Sequence, residues 1–239
     1  MGSAICKAAL AYGAHVTSVS RSGTPSLHLE ESIRSRVVWH SASVGAVASD
    51  LDDLTCLLEG ATGVVSTVGS FGEPLLNNQS MFDINGMTNA NIAQHASDCG
   101  VRNFVFISAH QYPLVKHTVL GGYYRGKVHA ENVMSALPFE KTTILRPGFI
   151  SGTRGNIPLY MLGNPMAAML RSAPSKSLRS ALPAFFGDFL ETPIDIHDVA
   201  LCAAAGGLGM KLPLIEARKN SYLCGGDMAA VASELRFTL

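Results

Sequence analysis

The feature that most constrains the fold is the alternation of strand and helix patterns over the first 150 residues. Short runs rich in β-branched and aromatic residues predict strands at 15–20, 36–40, 63–69, 103–108 and 142–148. Apolar residues at helical spacing predict helices that precede Gly13, Gly60 and Gly100, and a further helix over 123–137. This alternation predicts right-handed βαβ units, and therefore an α/β fold with a doubly wound parallel sheet and helices on both faces.

The pattern changes after residue 150. Prolines interrupt it at Pro158, Pro165, Pro174, Pro183 and Pro193. The stretch 192–206 then predicts a strand and a helix that begins near Asp198, with Asp198 as its cap, and the last strand and helix follow within 221–235. We therefore expect a sheet domain over 1–150 and a C-terminal region over 151–239 packed on it. Such late segments usually lie over the carboxyl ends of the strands, where ligands bind.

Composition excludes several classes of function. Lys plus Arg and Asp plus Glu each number 18, so the chain lacks the basic surplus of a nucleic-acid-binding protein. The five cysteines are scattered without a C-x-x-C pair, which argues against a metal site or a disulfide framework. No run of 18 apolar residues predicts a transmembrane helix, and any targeting signal would have to lie upstream of Met1. Charged residues make up only 15%, which fits a protein that lies against partners or one with a large core.

The strongest candidate site consists of Ser108, Tyr123 and Lys127. In "GGYYRGK" the tyrosine and the lysine are four residues apart on one helix face, and Ser108 ends the preceding strand. An ammonium stabilises a nearby phenolate and lowers the pKa of the phenol. Such a tyrosine can exchange the proton of a carbonyl–alcohol pair while hydride moves to or from a nicotinamide, with Ser108 holding the substrate oxygen. Tyr124, three residues from Lys127, is the weaker alternative.

Three further segments are candidates for cofactor contacts. "SRSG" at 20–23 offers Arg21 and no carboxylate after a strand, a pattern that favours the 2′-phosphate of NADP over NAD, although an exposed turn would look the same. Thr67 and Gly69, in "STVGSFG", allow close backbone approach to a ligand. Pro147 either shapes the nicotinamide end of the pocket or simply terminates its strand.

Together these motifs resemble the atypical short-chain dehydrogenase/reductases. The segments that carry the resemblance run in order along nearly the whole chain: "GSAICKAAL", "GAHVTSVSRSG", "GATGVVSTVGSFG", "MFDINGMTNANIAQHASDCGVRNFVFISA", "GGYYRGKVHAE", "TTILRPGFISGTRG" and "PIDIHDVA". The chain is most similar to a branch with plant organellar NAD(P)-binding proteins and the yeast coenzyme Q-biosynthesis accessory protein. The NADPH-binding accessory subunit of respiratory complex I is a more distant relative.

The resemblance implies a Rossmann-like dinucleotide-binding domain over 1–150 that is incomplete at its N-terminus. Members of this family usually open with a strand and a glycine-rich phosphate turn, of which only Gly2 has a counterpart here. When the strands of the family's complete sheet are numbered along the chain, their order in the sheet is 3-2-1-4-5, so this first strand is central. Its loss is expected to leave two ladder edges unpaired and to weaken dinucleotide binding. The resemblance assigns catalysis to Ser108, Tyr123 and Lys127, and cofactor contacts to the other residues named above: Gly2, Arg21, Thr67, Gly69 and Pro147.

Two functions follow as expectations from the resemblance. The first is an oxidoreductase that prefers NADP(H) over NAD(H), acts on a small carbonyl or quinone substrate and resides in an organelle, the mitochondrion or alternatively the plastid. The second is a non-catalytic, cofactor-holding accessory subunit of a membrane-associated respiratory or quinone-biosynthesis complex. Neither involves a metal ion, and the sequence does not name the substrate.

Overall fold

The computed structural model describes residues 1–25, 29–45, 54–70, 77–110, 121–148, 150–151, 193–214 and 219–237. Four of the five prolines that interrupt the late pattern lie outside these residues, as does the start of the helix predicted before Gly60. Phe71 and Gly72 of the "STVGSFG" loop also lie outside them.

The described strands and helices follow the predicted alternation. The strands are β1 (Val16–Ser20), β2 (Val37–Ser41), β3 (Gly63–Ser66), β4 (Asn103–Ile107), β5 (Lys141–Arg146), β6 (Ile150–Ser151), β7 (Ile194–Asp195) and β8 (Asn220–Cys224). The helices are α1 (Gly2–Ala11), α2 (Glu31–Arg34), α3 (Thr55–Leu58), α4 (Asn78–Phe82), α5 (Thr88–Asp98), α6 (Gly121–Ala136), α7 (Ile196–Gly207) and α8 (Gly225–Leu235), with a π-helical turn at Asp83–Met87 between α4 and α5.

All strand pairs among the described residues are parallel. The largest sheet has the order β3-β4-β5-β8, β1 pairs with β2, and the short strands β6 and β7 pair with each other. Two observed strands are shorter at their carboxyl ends than the predictions of 63–69 and 142–148, since β3 ends at Ser66 and β5 at Arg146. The prediction of an α/β fold with a parallel sheet is confirmed.

The central strand β4 shows how helices cover both faces of the large sheet. Its five residues are all buried, and successive side chains point to opposite faces. Phe104 and Phe106 pack in a cluster with residues of α3, α5 and α6. Val105 and Ile107 belong to a second cluster with residues of α1, α7 and α8. These two apolar layers are the core of the molecule.

Helix α1 connects the two larger sheets through its side chains. Ile5 and Ala8 belong to the core cluster of the large sheet. Cys6 and Leu10 pack instead against Ile33 and residues of β2. Within the described residues no ladder joins β1 to β3, so each of these strands has a single hydrogen-bonded neighbour.

The C-terminal elements contribute to the same core. Strand β8 extends the large sheet beside β5, and Val199 of α7 and Val231 of α8 are fully buried in the cluster that contains Ile5. The domain boundary at residue 150 remains a prediction.

The cap of α7 was predicted wrongly. The helix begins at Ile196, and its N-cap is Asp195, whose Oδ1 accepts a hydrogen bond from the backbone N–H of His197 at 2.8 Å. Asp198 lies one turn further on and pairs instead with Arg236. Both aspartates stand near the same helix start, so the sequence alone did not distinguish the cap from a first-turn carboxylate.

Candidate active site and cofactor-binding edge

The residues proposed from the sequence follow the carboxyl ends of parallel strands. Arg21 comes after β1, Thr67 and Gly69 after β3, Ser108 after β4 and Pro147 after β5. The carboxyl ends of β3, β4 and β5 share one edge of the large sheet, the kind of edge at which α/β proteins bind ligands, while β1 belongs to the two-stranded sheet. The loops after β4 and β5 also remain paired beyond the strands. The backbone N–H of Ser108 donates to Leu145 O and that of His110 to Pro147 O, both at 2.8 Å.

Lys127 reaches the end of β4 from α6. Its Nζ donates to Ile107 O at 2.8 Å and, more weakly, to Val68 O at 3.4 Å, and it lies 4.5 Å from the centroid of the Phe106 ring. The residue is only 6% exposed. Burial lowers the pKa of Lys127 to about 7, against a smaller opposing influence of Glu131 one turn further along the helix. Lys127 therefore ties α6 to the loops after β3 and β4, next to Ser108.

Tyr123 lies one turn before Lys127, but its predicted phenol chemistry needs correction. The Lys127 Nζ is 6.0 Å from the Tyr123 ring centroid, and the Tyr124 ring packs edge-on against Tyr123 at 5.0 Å between centroids. Burial raises the pKa of Tyr123, and Tyr124 adds to the rise. The ammonium was expected to lower this pKa, but it is itself desolvated and directed at backbone carbonyls. The phenol is therefore protonated at neutral pH in this state.

Ser108 is bonded to a buried carboxylate that the sequence analysis did not single out. Its Oγ donates to Glu131 Oε1 at 2.5 Å. Arg146 donates two hydrogen bonds to the same carboxylate, from Nε to Oε1 at 3.1 Å and from Nη2 to Oε2 at 2.5 Å. Arg146 also lies 4.7 Å from the centroid of the Tyr222 ring, and the hydrogen bonds that it donates to Glu131 raise the pKa of the guanidinium. Ser108 is thus one end of a polar chain that runs through Glu131 to Arg146.

Two asparagines hold the loop that carries Thr67 and Gly69. Asn85 is fully buried, donates to Ser70 O at 2.9 Å and accepts from Ser70 N at 3.2 Å. Asn89 donates to Val68 O at 3.2 Å and accepts from Ser66 Oγ at 2.6 Å. The loop therefore has a defined path.

Two features of the sequence point to Asn85, Asn89 and Glu131, which the sequence analysis did not single out. Asn85 and Asn89 are four residues apart inside a helix, where asparagine is an unfavourable residue without a specific partner. Glu131 continues the four-residue spacing of Tyr123 and Lys127.

Two further features lie at the end of β1 and at the start of α1, which is near the loop after β3. An open pocket of about 540 Å³ is lined by Ser20, Arg21 and Ser22. Arg21 is exposed, and its guanidinium has no ion-pair partner among the described residues. Gly2 is the first residue of α1 and lies near Thr67, since a Cβ built on Gly2 would be 4.0 Å from Thr67 Oγ1.

These residues fit a dinucleotide. Helix α1 has ten residues, no side-chain N-cap and no acidic residue in its first turn, so its first N–H groups are available to a phosphate. Arg21 supplies a positive charge at the end of the neighbouring strand. Gly69 is also closely enclosed, because a Cβ there would lie 2.8 Å from Asn85 Oδ1 and 3.4 Å from Lys127 Nζ. A side chain at this position would therefore displace the amide of Asn85.

The comparison with protein families agrees with this geometry. Residues 1–167 match the NAD(P)H-binding family. The chain belongs to that family. A nicotinamide dinucleotide is accordingly its class of cofactor, while the choice between NAD(H) and NADP(H) is not fixed by membership. The resemblance to short-chain dehydrogenase/reductases is confirmed at the level of this NAD(P)-binding Rossmann-type family, without confirmation of the particular branches.

A relative in Arabidopsis thaliana is an uncharacterised chloroplastic protein that is 40% identical over 209 residues. The match covers 84% of this chain and 66% of the relative, so the chain spans slightly less than two thirds of that protein. The expectation of a mitochondrial protein has no support in this match.

Two solved structures of similar fold have low sequence identity to this chain. A putative NAD-dependent epimerase/dehydratase from Bacillus halodurans aligns with a TM-score of 0.60 at 15% identity, covering 97% of this chain and 93% of the other. The Bordetella bronchiseptica enzyme WbmG, solved with NAD and UDP, aligns with a TM-score of 0.55 at 15% identity, covering 99% and 74%. These structures establish the Rossmann-like fold.

Two other kinds of site are absent from the part of the chain that the structure describes. None of its helices is both long and apolar enough to cross a bilayer. Among the same residues, no three His, Cys, Asp or Glu side chains come together in a way that could hold a metal ion.

Proposed function

We propose that this protein is an NAD(P)(H)-dependent oxidoreductase that interconverts a carbonyl and an alcohol. Ser108, Tyr123 and Lys127 form its catalytic set, and Gly2, Arg21, Thr67, Gly69 and Pro147 contact the cofactor. The observation that carries the proposal is the position of Lys127. Its buried Nζ is bonded to Ile107 O, directly before Ser108, and Tyr123 is one turn away on the same helix.

The protein's residues divide the work of such a reaction. A dinucleotide held by the cofactor-contacting residues named above would supply or accept the hydride. In the reducing direction the protonated phenol of Tyr123 gives its proton to the substrate oxygen as the carbonyl carbon gains hydride, and solvent returns a proton to the phenolate. Lys127 fixes the end of β4, directly before Ser108, through its hydrogen bond to Ile107 O, one turn from the phenol. Ser108 holds the substrate oxygen when that oxygen is a hydroxyl.

We also propose NADP(H) as the preferred cofactor and a plastid as the location. Arg21 at the end of β1 offers a charge-assisted partner to a 2′-phosphate, and the described residues give it no competing carboxylate. The plastid rests on the chloroplastic relative. A carbonyl or quinone is the substrate class that suits a tyrosine acid. No observation favours a cofactor-holding subunit of a membrane-associated complex, and we do not propose it.

Replacing Tyr123 with Phe tests the proposal. We expect turnover of a panel of carbonyl and quinone substrates with NADPH to fall by about 10²–10⁴-fold, because general acid catalysis is lost, while the Kd for NADPH changes little. Tyr124→Phe is the matched control, since it removes a neighbouring phenol of the same helix. Full activity in Tyr123→Phe, or an equal loss in Tyr124→Phe, would contradict the assignment.

A further inference from the structure

The direction of the hydrogen bond between Ser108 and Glu131 has a consequence for what the site can bind. A serine hydroxyl has one proton and can therefore donate only one hydrogen bond. Arg146 is always protonated, and an ionised carboxylate that it grips with two donors can only accept. The Ser108 proton must therefore lie on the Glu131 side of the 2.5 Å contact. This leaves Oγ with lone pairs, and no proton, for any other partner.

Burial and pairing hold this arrangement in place. Glu131 is 3% exposed and Ser108 4% exposed, so water does not readily replace either partner. Both carboxylate oxygens of Glu131 are engaged by Arg146, whose side chain in turn lies against the Tyr222 ring. Rotating the Ser108 proton towards the site would leave Oε1 with one donor fewer in a buried place, which costs free energy.

We propose that Glu131, held by Arg146, is a positioning residue that makes Ser108 a hydrogen-bond acceptor, so that the site binds the hydroxyl form of its alcohol–carbonyl pair more tightly than the carbonyl form. A ligand hydroxyl can donate to Ser108 and also accept the proton of Tyr123. A carbonyl oxygen can accept from Tyr123 only, and its lone pairs face those of Ser108. The ligand preference rests on the proposed function, while the direction of the Ser108 hydrogen bond does not.

Glu131→Gln reverses the polarity of this contact with little change of shape. The amide oxygen is expected to turn to Arg146 Nη2, which is the nearer of the two donors, and this leaves the amide N–H₂ facing Ser108. Ser108 then accepts from Gln and points its own proton into the site, where a carbonyl can receive it. Glu30→Gln is the matched control, because it removes a carboxylate from an exposed ion pair with Lys7.

The ligand test uses dead-end complexes, which bind without reacting. Kd values are measured by protein NMR titration for cyclohexanol with NADPH and for cyclohexanone with NADP⁺. We expect Glu131→Gln to change the ratio of the two Kd values by about tenfold in favour of cyclohexanone binding. Cyclohexanol loses a hydrogen bond to Ser108 in this variant, and cyclohexanone gains one. Glu30→Gln should leave the ratio unchanged. In a Ser108→Ala background, Glu131→Gln should also have no effect on the ratio.

Neutron diffraction of the deuterium-exchanged wild-type protein tests the direction of the bond without any ligand or variant. A deuteron on the line from Ser108 Oγ to Glu131 Oε1 supports the inference, and a deuteron elsewhere overturns it, even if Glu131→Gln fails to fold. Turnover by the wild type combined with an unchanged Kd ratio in Glu131→Gln would overturn the inference and leave the proposed function standing. A deuteron on this line in a protein without turnover would do the reverse: the positioning role survives and the proposed function falls.

Discussion

At the scale of single residues, the charge of Arg21 is the feature that separates the two possible cofactors. The residue is exposed beside an open pocket at the carboxyl end of β1, in the position expected for a 2′-phosphate contact. NADP(H) and NAD(H) differ only by that phosphate, so the two should respond differently when the guanidinium is removed.

We expect NADPH to bind more tightly than NADH, and Arg21→Ala to remove the difference. A charge-assisted hydrogen bond is worth about 1.5–3 kcal/mol, so the Kd for NADPH should rise by about 10–100-fold and the Kd for NADH by little. Isothermal titration at low and high salt measures both constants. Arg102→Ala, an exposed arginine just before the amino end of β4, controls for the loss of a positive charge. Equal affinities in the unmodified protein would disprove the preference.

Lys127 also gives the folded protein a pH dependence. Its pKa is about 7 in the folded state, against about 10.4 for an unperturbed lysine in the unfolded chain. Below pH 7 Lys127 is charged in both the folded and the unfolded state, and the folded state bears the full cost of desolvating the charge. Between pH 7 and about 10.4 the unfolded chain binds more protons, so the free energy of unfolding rises with pH. Above this range Lys127 is neutral in both states and the desolvation cost is gone.

This dependence is measured against Lys127→Met, which cancels the titration of the other groups. We expect the free energy of unfolding of the wild type minus that of the variant to increase from pH 7 to pH 10, with a slope of at most about 1.4 kcal/mol per pH unit. Chemical denaturation at a series of pH values gives the difference. A difference that stays flat or falls over this range would show that the lysine is not desolvated.

At the scale of elements, close helix packing places Tyr123 and Lys127 against the sheet. Helix α6 lies against α4 and the π-helical turn through glycines. A Cβ on Gly126 would lie 2.9 Å from Gly86 N, and a Cβ on Gly122 only 1.9 Å from Asn78 O. These obstacles are backbone atoms, which cannot rotate away, so larger residues would force the helices apart and move the site residues with them.

We therefore expect Gly122→Ala to destabilise the protein by about 1–3 kcal/mol or more and to lower turnover as well. The control is Gly226→Ala. Both glycines are the second residue of a helix, but a Cβ on Gly226 meets nothing within 4 Å. That substitution should be neutral or stabilising by up to about 1 kcal/mol, because alanine favours helix. Thermal and denaturant unfolding measure the stability change in each variant. Equal changes in Gly122→Ala and Gly226→Ala would contradict the packing argument.

Most strands were predictable from the sequence because they are short, rich in β-branched and aromatic residues and bounded by turn residues, whereas α2 and β6 were not predicted. The strand "NFVFI" and the helix that carries "YYRGK" are the clearest cases. The π-helical turn was not predicted either. It places Asn85 where the side chain reaches Ser70, a tertiary contact that no local pattern reports.

The strand pattern predicted that Arg21, Thr67 and Ser108 follow strand ends, and they come after β1, β3 and β4. The electrostatics at these positions was not predictable, and their role as a site remains a prediction. The pKa of Tyr123, however, depends on how deeply the ring is buried and where the ammonium of Lys127 points. Likewise, the role of Glu131 appears only when β5 brings Arg146 beside it. Spacing along one helix does not contain that information.

At the scale of the whole molecule, the two larger sheets are held together by α1 rather than by a ladder. Cys6 and Leu10 pack towards β2, and Ile5 and Ala8 towards the large sheet. Strands β1 and β3 therefore each have one neighbour among the described residues. On the edge of β1 away from β2 and on the edge of β3 away from β4, backbone donors and acceptors could pair with a further parallel strand. Such a strand would merge the two sheets into one.

A fusion tests whether this place controls stability and cofactor binding. We expect a five-residue β-branched strand and a glycine-rich turn, joined in front of Met1, to raise the Tm by about 10 °C, because several kcal/mol of pairing shift the Tm by about 2–4 °C each in a chain of this size. Affinity for NADPH should rise too, since the added turn brings further backbone N–H groups to the start of α1. Calorimetry and titration measure the two effects. A flexible Gly-Ser extension of equal length is the control, because it lengthens the chain without strand propensity. If both extensions give the same Tm and the same NADPH affinity, β1 and β3 do not accept a strand, and packing by α1 alone accounts for the stability of the molecule.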